Sequence, residues 1–405
     1  MNDMAAKEDW FPASRIKDLV DDSRDVNRSA NSVWGDHGSE ILLGRNLGAL
    51  VFAVRFMDGV IRTKDVAFKI QARKGRKVAV ASSPLARGFD LLGAMVRVYS
   101  RGFHFSPQLR LLFDCFATHE IRRCLRRNRN LPFDKDRIEA EVFEEFIAFL
   151  REEGARIGIV SQMNDWENAS NGNEKSVLNY IGALFSRNSS IVPVEMQLFY
   201  KKSCVDELRL REVAEMVAKE EADDMACLYR REDTVDALPE ALRQHDVTEV
   251  IGDRDRLFRN MRSKRSIFGN MVGYVWRLDC SYTGYYLRVV FLFDGSLAAA
   301  GGALGEHIGQ YWVDGITDGR GQFRNMSSTS RKFSGDADLI SKINHDDAEK
   351  REALTRFLCR LARRDRYVCV QPLSGFKRFG TGRAQMVAPA VPQGKARTKT
   401  LKKSE

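Results

Sequence analysis

The chain has 405 residues, 43% of them hydrophobic and 24 of them Phe, with 65 Lys and Arg against 55 Asp and Glu for a net charge of +10. This excludes wholesale disorder and leaves room for two domains or one with a large extension. It also favours an anionic partner such as nucleic acid, although many solvated arginines would give the same total. Seven cysteines, at 115, 124, 204, 227, 280, 359 and 369, form no CxxC pair and are odd in number. Zinc-site spacing is thereby excluded, a disulfide framework is disfavoured, and most read as buried thiols of a reducing cytoplasm, the expected location.

Residues 1–40 are polar, with scattered Asp, Asn and Ser, and lack the apolar core of a secretory signal. They read as a loose leader with one helix around 14–20. Residues 41–185 read as a mainly helical domain. Apolar runs occupy 41–56, with Gly44 and Gly48 inside, and 93–99. Ser106-Pro107 is a helix-start signal for 108–118. Arg122, Arg123, Arg126, Arg127 and Arg129 follow at spacings that put most of them on one side of that helix, as a phosphate-contacting or a solvated basic face. Residues 136–153 are strongly periodic, with Ile138, Val142, Phe146, Ile147 and Leu150 on the apolar stripe. ASNGNE at 169–174 reads as a loop before a helix at 176–185. No internal repeat and no stretch of membrane-spanning length occurs.

Residues 186–386 change character. IVPVEMQLFY at 191–200 reads as a strand with Pro193 near its start, and 205–220 as a helix with Leu208, Val213 and Val217 inward. A short helical piece at 239–245 precedes a helix crowded with Arg254, Arg256, Arg259, Arg262, Lys264 and Arg265. GYVWRLDCSYTGYYLRVVFLFDGS at 273–296 reads as a hairpin of strands 275–279 and 285–293 around a turn at 281–284. Strand periodicity puts Tyr285, Leu287, Val289, Phe291 and Phe293 on one face and Tyr286, Arg288, Val290 and Leu292 on the other. A helix at 303–313, a glycine-rich segment at 315–323, a long helix at 346–364, a strand at 367–371 and a loop at 375–382 complete the domain. The expected fold is α+β, an antiparallel sheet with flanking helices on one face, preceded by the helical N-terminal domain. Residues 387–405, with Lys395, Arg397, Lys399, Lys402 and Lys403, read as a basic disordered tail that adds salt-dependent affinity for polyanions.

Residues 273–296, HIGQYWVDGITDGRGQF at 307–323, the helix and strand at 342–371, and FKRFGTGRAQM at 376–386 together resemble the inovirus-type replication protein family, also called the YagK/YfjJ C-terminal-domain family, of filamentous phages and prophages. The resemblance covers roughly 191–386 and rests on YW, T-x-G-x-G, INHDD and an F-G-x-G-R-like end in the expected order. It implies a domain related to the HUH rolling-circle replication endonucleases. Those enzymes hold a divalent cation with a His-x-His pair on a central strand, and the cation polarises a phosphate. A helix tyrosine attacks it, leaving a phosphotyrosyl link, and a lysine one turn away assists. Here the family's Gly-Tyr-His-x-His falls on Gly284, Tyr285, Tyr286, Leu287 and Arg288. Its Tyr-x-x-Lys falls on Arg360, Leu361, Ala362 and Arg363. A guanidinium cannot ligate a cation, so both motifs are degenerate.

The expectation is therefore a DNA-binding protein of phage or prophage origin that recognises origin or single-stranded DNA. The alternatives are an active nickase with relocated catalytic groups and a non-catalytic regulator or scaffold of a replication complex. Expected nucleic-acid contacts are Tyr286, Arg288, Trp312, Arg320, Arg360, Arg363, Arg364, Arg366, Lys377, Arg378 and Arg383, with Tyr286, Trp312 and Tyr367 as stacking surfaces. For Arg288, pairing with an acid such as Asp279 on the neighbouring strand is the competing reading. Tyr311 with His307 one turn before it is the substitute nucleophile, or else Tyr311 and Trp312 pack their helix on the sheet. His345, Asp346 and Asp347 could gather a metal, or an Asp caps the following helix. No cofactor is expected, Mg or Mn entering only with the nickase. Partners are DNA and host or phage replication proteins, not a membrane.

Overall fold

A computed structural model describes residues 13–35, 39–44, 47–124, 128–230, 247–296, 301–327, 341–370 and 376–382. The first half runs α1 (Ala13–Asn31), β1 (Ser32–Gly35), β2 (Glu40–Leu42), α2 (Leu50–Arg62), the hairpin β3 (Phe68–Arg73) and β4 (Arg76–Ala81), α3 (Ala86–Val96), β5 (Phe103–Phe105), α4 (Pro107–Thr118), α5 (Glu139–Arg156) and α6 (Ile159–Phe185). The second runs β6 (Ser190–Tyr200), β7 (Cys204–Val205), α7 (Glu207–Arg230), α8 (Val247–Asn260), α9 (Arg265–Phe268), β8 (Met271–Ser281), β9 (Gly284–Asp294), α10 (Gly301–Tyr311), β10 (Gly321–Asn325), β11 (Ile343–Asn344), α11 (Ala348–Arg363), β12 (Val368–Val370) and β13 (Phe379–Thr381). The structure is mixed α+β, and its strand pairs are antiparallel apart from β1 on β7. No helix among the described residues is long and apolar enough to cross a membrane.

The central sheet has the order β10-β6-β9-β8-β13, with β11 also on β6. β8 and β9 are the expected hairpin, each strand longer than the sequence suggests, and every residue of β9 up to Phe293 is buried. The alternation along β9 holds. Leu287, Val289, Phe291 and Phe293 share a core with α8, α10 and Trp276, while Val290 and Leu292 share another with α6 and α11. Helices thus cover both faces, not one, because a strand apolar on both sides exposes hydrophobic surface unless both sides are packed. On α10, Gly309 admits Phe323 of β10, and a Cβ there would lie 2.2 Å from that ring. Pro193 lies on β6 between the stretches that β11 and β10 pair with, where its missing donor costs no described ladder bond.

The helical half also follows its periodicity in part. Pro107 opens α4 with Ser106 at the cap position, and the α5 stripe is wholly buried. Several expectations fail for tertiary reasons. Residues 13–35 of the leader are not loose: α1 buries Leu19, Val26 and Ala30 in the helical core, and β1 joins a small sheet with β2 and β7. Residues 169–174 are helical within the unbroken α6, where Asn171 and Glu174 accept from Arg366. The arginines after α4 do not line one helix face. The helix ends at Thr118, Arg122 donates to the carbonyls of Ala117 and Tyr229, and Arg126 and Arg127 lie outside the described residues. Leu208 is exposed, although Val213 and Val217 are buried as expected. β12 pairs with β5 of the helical half, and β13, in the expected loop, closes the central sheet instead. The pieces at 239–245 and 387–405 lie outside the described residues.

Trp34 of β1 is 1% exposed, stacks on Phe199 of β6 at 4.5 Å and meets Tyr286 of β9 edge-on at 5.6 Å. It ties the N-terminal segment to the sheet. Trp34→Ala should destabilise the fold by about 3–5 kcal/mol, read as a lowered denaturant midpoint with unchanged slope.

Candidate functional site

One face of the central sheet turns from apolar to charged along its length. Beyond Val290, β9 presents Arg288 and then Tyr286. β8 sets Arg277 directly opposite Arg288, and Asp279 opposite Tyr286. β6 adds Glu195 and Gln197. Two arginines facing each other across a ladder repel, so this face requires acids. Arg288 Nε donates to Glu195 Oε1 at 2.6 Å. Arg277 Nε donates to Asp279 Oδ1 at 2.9 Å, and its other nitrogens reach the Leu361 carbonyl and the Asp365 carboxylate. The second oxygen of Asp279 takes a 2.7 Å bond from Arg364 Nη1. One buried carboxylate therefore joins two guanidiniums.

α11 lies over this row. It starts where expected: Asp347 caps it by accepting from the Lys350 amide at 3.0 Å, and the His345-Asp346-Asp347 segment is a helix start. Near its end the Phe357 ring is approached by the Arg288 guanidinium, at 5.4 Å, and by that of Arg360, at 5.8 Å. α1 closes the cleft from above. Its Asp18, Asp21, Asp22 and Asp25 recur at three- and four-residue spacing and so share one side. Arg360 lies 3.9 Å from Asp21 and 3.7 Å from Asp25. Arg363 Nε lies 3.1 Å from both oxygens of Asp22, and its other nitrogens reach Asp18 and Glu174. Arg364 Nη2 donates to the Asp25 carbonyl at 2.7 Å.

Burial would raise the pKa of Asp279, but Arg364 and Arg277 outweigh it and hold the carboxyl below its usual range. Asp22 goes the other way. Burial pushes its pKa up to about 7 despite Arg363, and neighbouring Asp25 adds to the rise. The Tyr286 hydroxyl is driven up by burial, which keeps it protonated and unsuited to nucleophilic attack.

The structure brings together Tyr286, Arg288, Arg360, Arg363, Arg364 and Arg366, as paired and largely buried groups rather than an open binding surface. Arg288 takes Glu195 as its acid, where Asp279 was the sequence candidate. Trp312 is fully buried and donates to the Phe199 carbonyl at 3.1 Å, Tyr286 packs under Trp34, and Tyr367 sits in the helical core. None of the three presents a face on which a base could stack, because each ring fills a core. Tyr311 and His307 lie on α10, across the sheet from the arginine row. Tyr311 packs against Phe268, with the Lys264 ammonium 5.5 Å from its ring, and His307 is exposed. Arg320 pairs with Glu249 and Asp253 of α8. Arg378 reaches Asp365 at the edge of the network, Lys377 is exposed, and Arg383 lies outside the described residues. Among the described residues no three His, Cys, Asp or Glu side chains gather so as to hold a metal ion.

The sequence reading missed the acids of α1, together with Glu174, Glu195 and Asp365. The one available signal was the spacing of Asp18, Asp21, Asp22 and Asp25, a one-sided acidic stripe whose charge complements Arg360 and Arg363. No protein-family model, curated protein or solved structure matches this chain.

Asp279→Asn leaves Arg277 and Arg364 short of charge and should cost about 3–5 kcal/mol in a chemical-denaturation measurement. Asp22 gives a pH signature. Its folded pKa of about 7 exceeds its ordinary 3.8, so between these values the folded chain keeps a proton that the unfolded chain has lost. Its contribution to stability is full below 3.8 and is lost as pH rises through about 7. Asp22→Asn should flatten the pH dependence of the melting temperature in that window.

Proposed function

We propose that this chain is a DNA-binding protein built on a replication-initiator-like α+β scaffold, one that recognises origin or single-stranded DNA without cutting it. The observation that supports the reading is the approach of both Arg288 and Arg360 to the same Phe357 ring. In a nicking enzyme the strand motif and the helix motif must face each other so that a metal-held phosphate meets the nucleophile. Here guanidiniums occupy both positions, and carboxylates already engage them, Glu195 at Arg288 and Asp21 and Asp25 at Arg360. Tyr311, the substitute nucleophile, is on the opposite side of the sheet.

DNA affinity is then left to cations outside the cleft. Arg259, Arg262, Lys264 and Arg265, at the end of α8 and the start of α9, are exposed, and no ion pair engages them among the described residues. Unpaired surface cations of this kind release counterions from a phosphate backbone and give salt-dependent binding.

The test is to incubate the full chain with a fluorescein-labelled, mixed-sequence single-stranded oligonucleotide and manganese. Binding that weakens with salt, with no covalent adduct on a denaturing gel, is the expected result. An adduct that disappears in Tyr311→Phe would establish the nickase instead. Failure to bind even at low salt would leave the regulator or scaffold.

A further inference from the structure

We propose that the β3–β4 hairpin is an arm that enters the major groove of duplex DNA. The proposal rests on the DNA-binding reading above but uses a surface far in sequence from α8 and α9. Each strand has six residues, about 20 Å of ribbon at the usual rise, and the pair joins no third strand among the described residues. One face is anchored. Phe68 and Ala79 are buried in the helical core, the Phe68 amide donates to the Glu144 carboxylate, and the Ala79 amide donates to Asn130 Oδ1 at 2.8 Å.

The other face carries Lys69, Gln71 and Arg73 from β3 and Arg76 from β4, all exposed, with the half-buried Val78 and Val80 of β4 beside Gln71 and Lys69. The turn between them is Lys74-Gly75, both at positive φ, and nothing lies within 4 Å of where a Gly75 Cβ would stand. The tip therefore projects into solvent. Lys69, Arg73, Lys74 and Arg76 make no ion pair among the described residues, whereas Lys77, on the anchored face, pairs with Glu141 at 2.9 Å. No acid interrupts the outward face.

Four unpaired cations on a rigid ribbon call for a polyanion, and shape selects which. The major groove of B-form DNA is wide enough for a two-stranded ribbon, while the deep, narrow major groove of A-form RNA is not. A membrane-inserting hairpin would carry large apolar or aromatic residues at its tip, and this tip is Arg73-Lys74-Gly75-Arg76. Gln71 stands mid-ribbon, its Oε1 accepting from Arg73 at 3.1 Å, and is a residue type able to pair with an adenine edge.

The test measures binding of the full chain to a fluorescein-labelled, mixed-sequence DNA duplex across a salt series. The arm variant combines Arg73→Gln, Lys74→Asn and Arg76→Gln. Asn keeps the positive-φ turn, so the hairpin survives, and an unchanged melting temperature checks it. The expected result is a loss of affinity of about tenfold or more, with the slope of log K against log salt reduced by about 2.7, roughly 0.9 for each phosphate contact removed. Unchanged affinity and slope overturn the proposal. If duplex binding instead disappears only with Arg259→Gln and Arg262→Gln, the arm is wrong and the DNA-binding reading stands. If the unaltered chain binds neither single strands nor duplex, both fall. Loss of binding to phosphatidylserine vesicles, with duplex affinity intact, would reassign the arm to a membrane.

Discussion

The structure depends on one condition: the guanidiniums placed on the inner face of the central sheet must each meet a carboxylate. Arg277 and Arg288 oppose each other on paired strands, and neither could be dehydrated there alone. Asp279 and Glu195 answer them within the sheet, and Asp365 does so from the turn after α11. Arg360 and Arg363 draw the acidic side of α1 down onto the sheet. Ion pairs of this kind add little net stability over a well-packed apolar substitute, since dehydration of the charges offsets their attraction. Their effect here is geometric. They admit one placement of α1 over α11 and the sheet, and any shift by a turn would leave charges without partners.

The sequence is most legible where the physics is local. Alternation along β9 assigned its two faces, the stripe on α5 was buried residue for residue, and the Asp347 cap lay where its spacing put it. Each follows from neighbours within a few positions. Legibility fails where a distant partner overrides local preference. Asn171 and Glu174 sit in a segment that reads as a loop, and Arg363 at the end of α11 and Arg366 just beyond it help hold it helical. Residues 13–35 look unstructured because charge pairing with Arg360 and Arg363 adds to the burial of Leu19, Val26 and Trp34, and an apolar-periodicity reading does not register charge complementarity. The resemblance put Arg288 and Arg360 in one expected site, yet it carried no information on what would neutralise either.

Among the described residues two contrasting groups of cation stand out. Those on β8, β9 and the end of α11 are matched inside the molecule and contribute little to its outer field. Lys69, Arg73, Lys74 and Arg76 of the β3–β4 hairpin and Arg259, Arg262, Lys264 and Arg265 at the junction of α8 and α9 make no ion pair there and face solvent. Sequence alone gives no way to separate them, since an arginine reads the same in either setting. The family resemblance directed attention to the first population, whereas the capacity to attract a polyanion resides in the second.

The bond between Asp22 and Arg363 spans 341 positions of the chain. During synthesis α1 emerges early with its acids unmatched, and it stays so until α11 has been made. Closing so long a loop costs chain entropy before any contact repays it, so assembly of the sheet's inner face belongs to the last steps of folding. Truncation just before α11 removes Arg360 and Arg363, the partners of the α1 acids, and takes Asp365 from Arg277, which keeps Asp279. The N-terminal and C-terminal halves, separable on paper at residue 186, therefore mature as one cooperative unit, and a ribosome-bound intermediate of this protein would expose an acidic helix to basic partners.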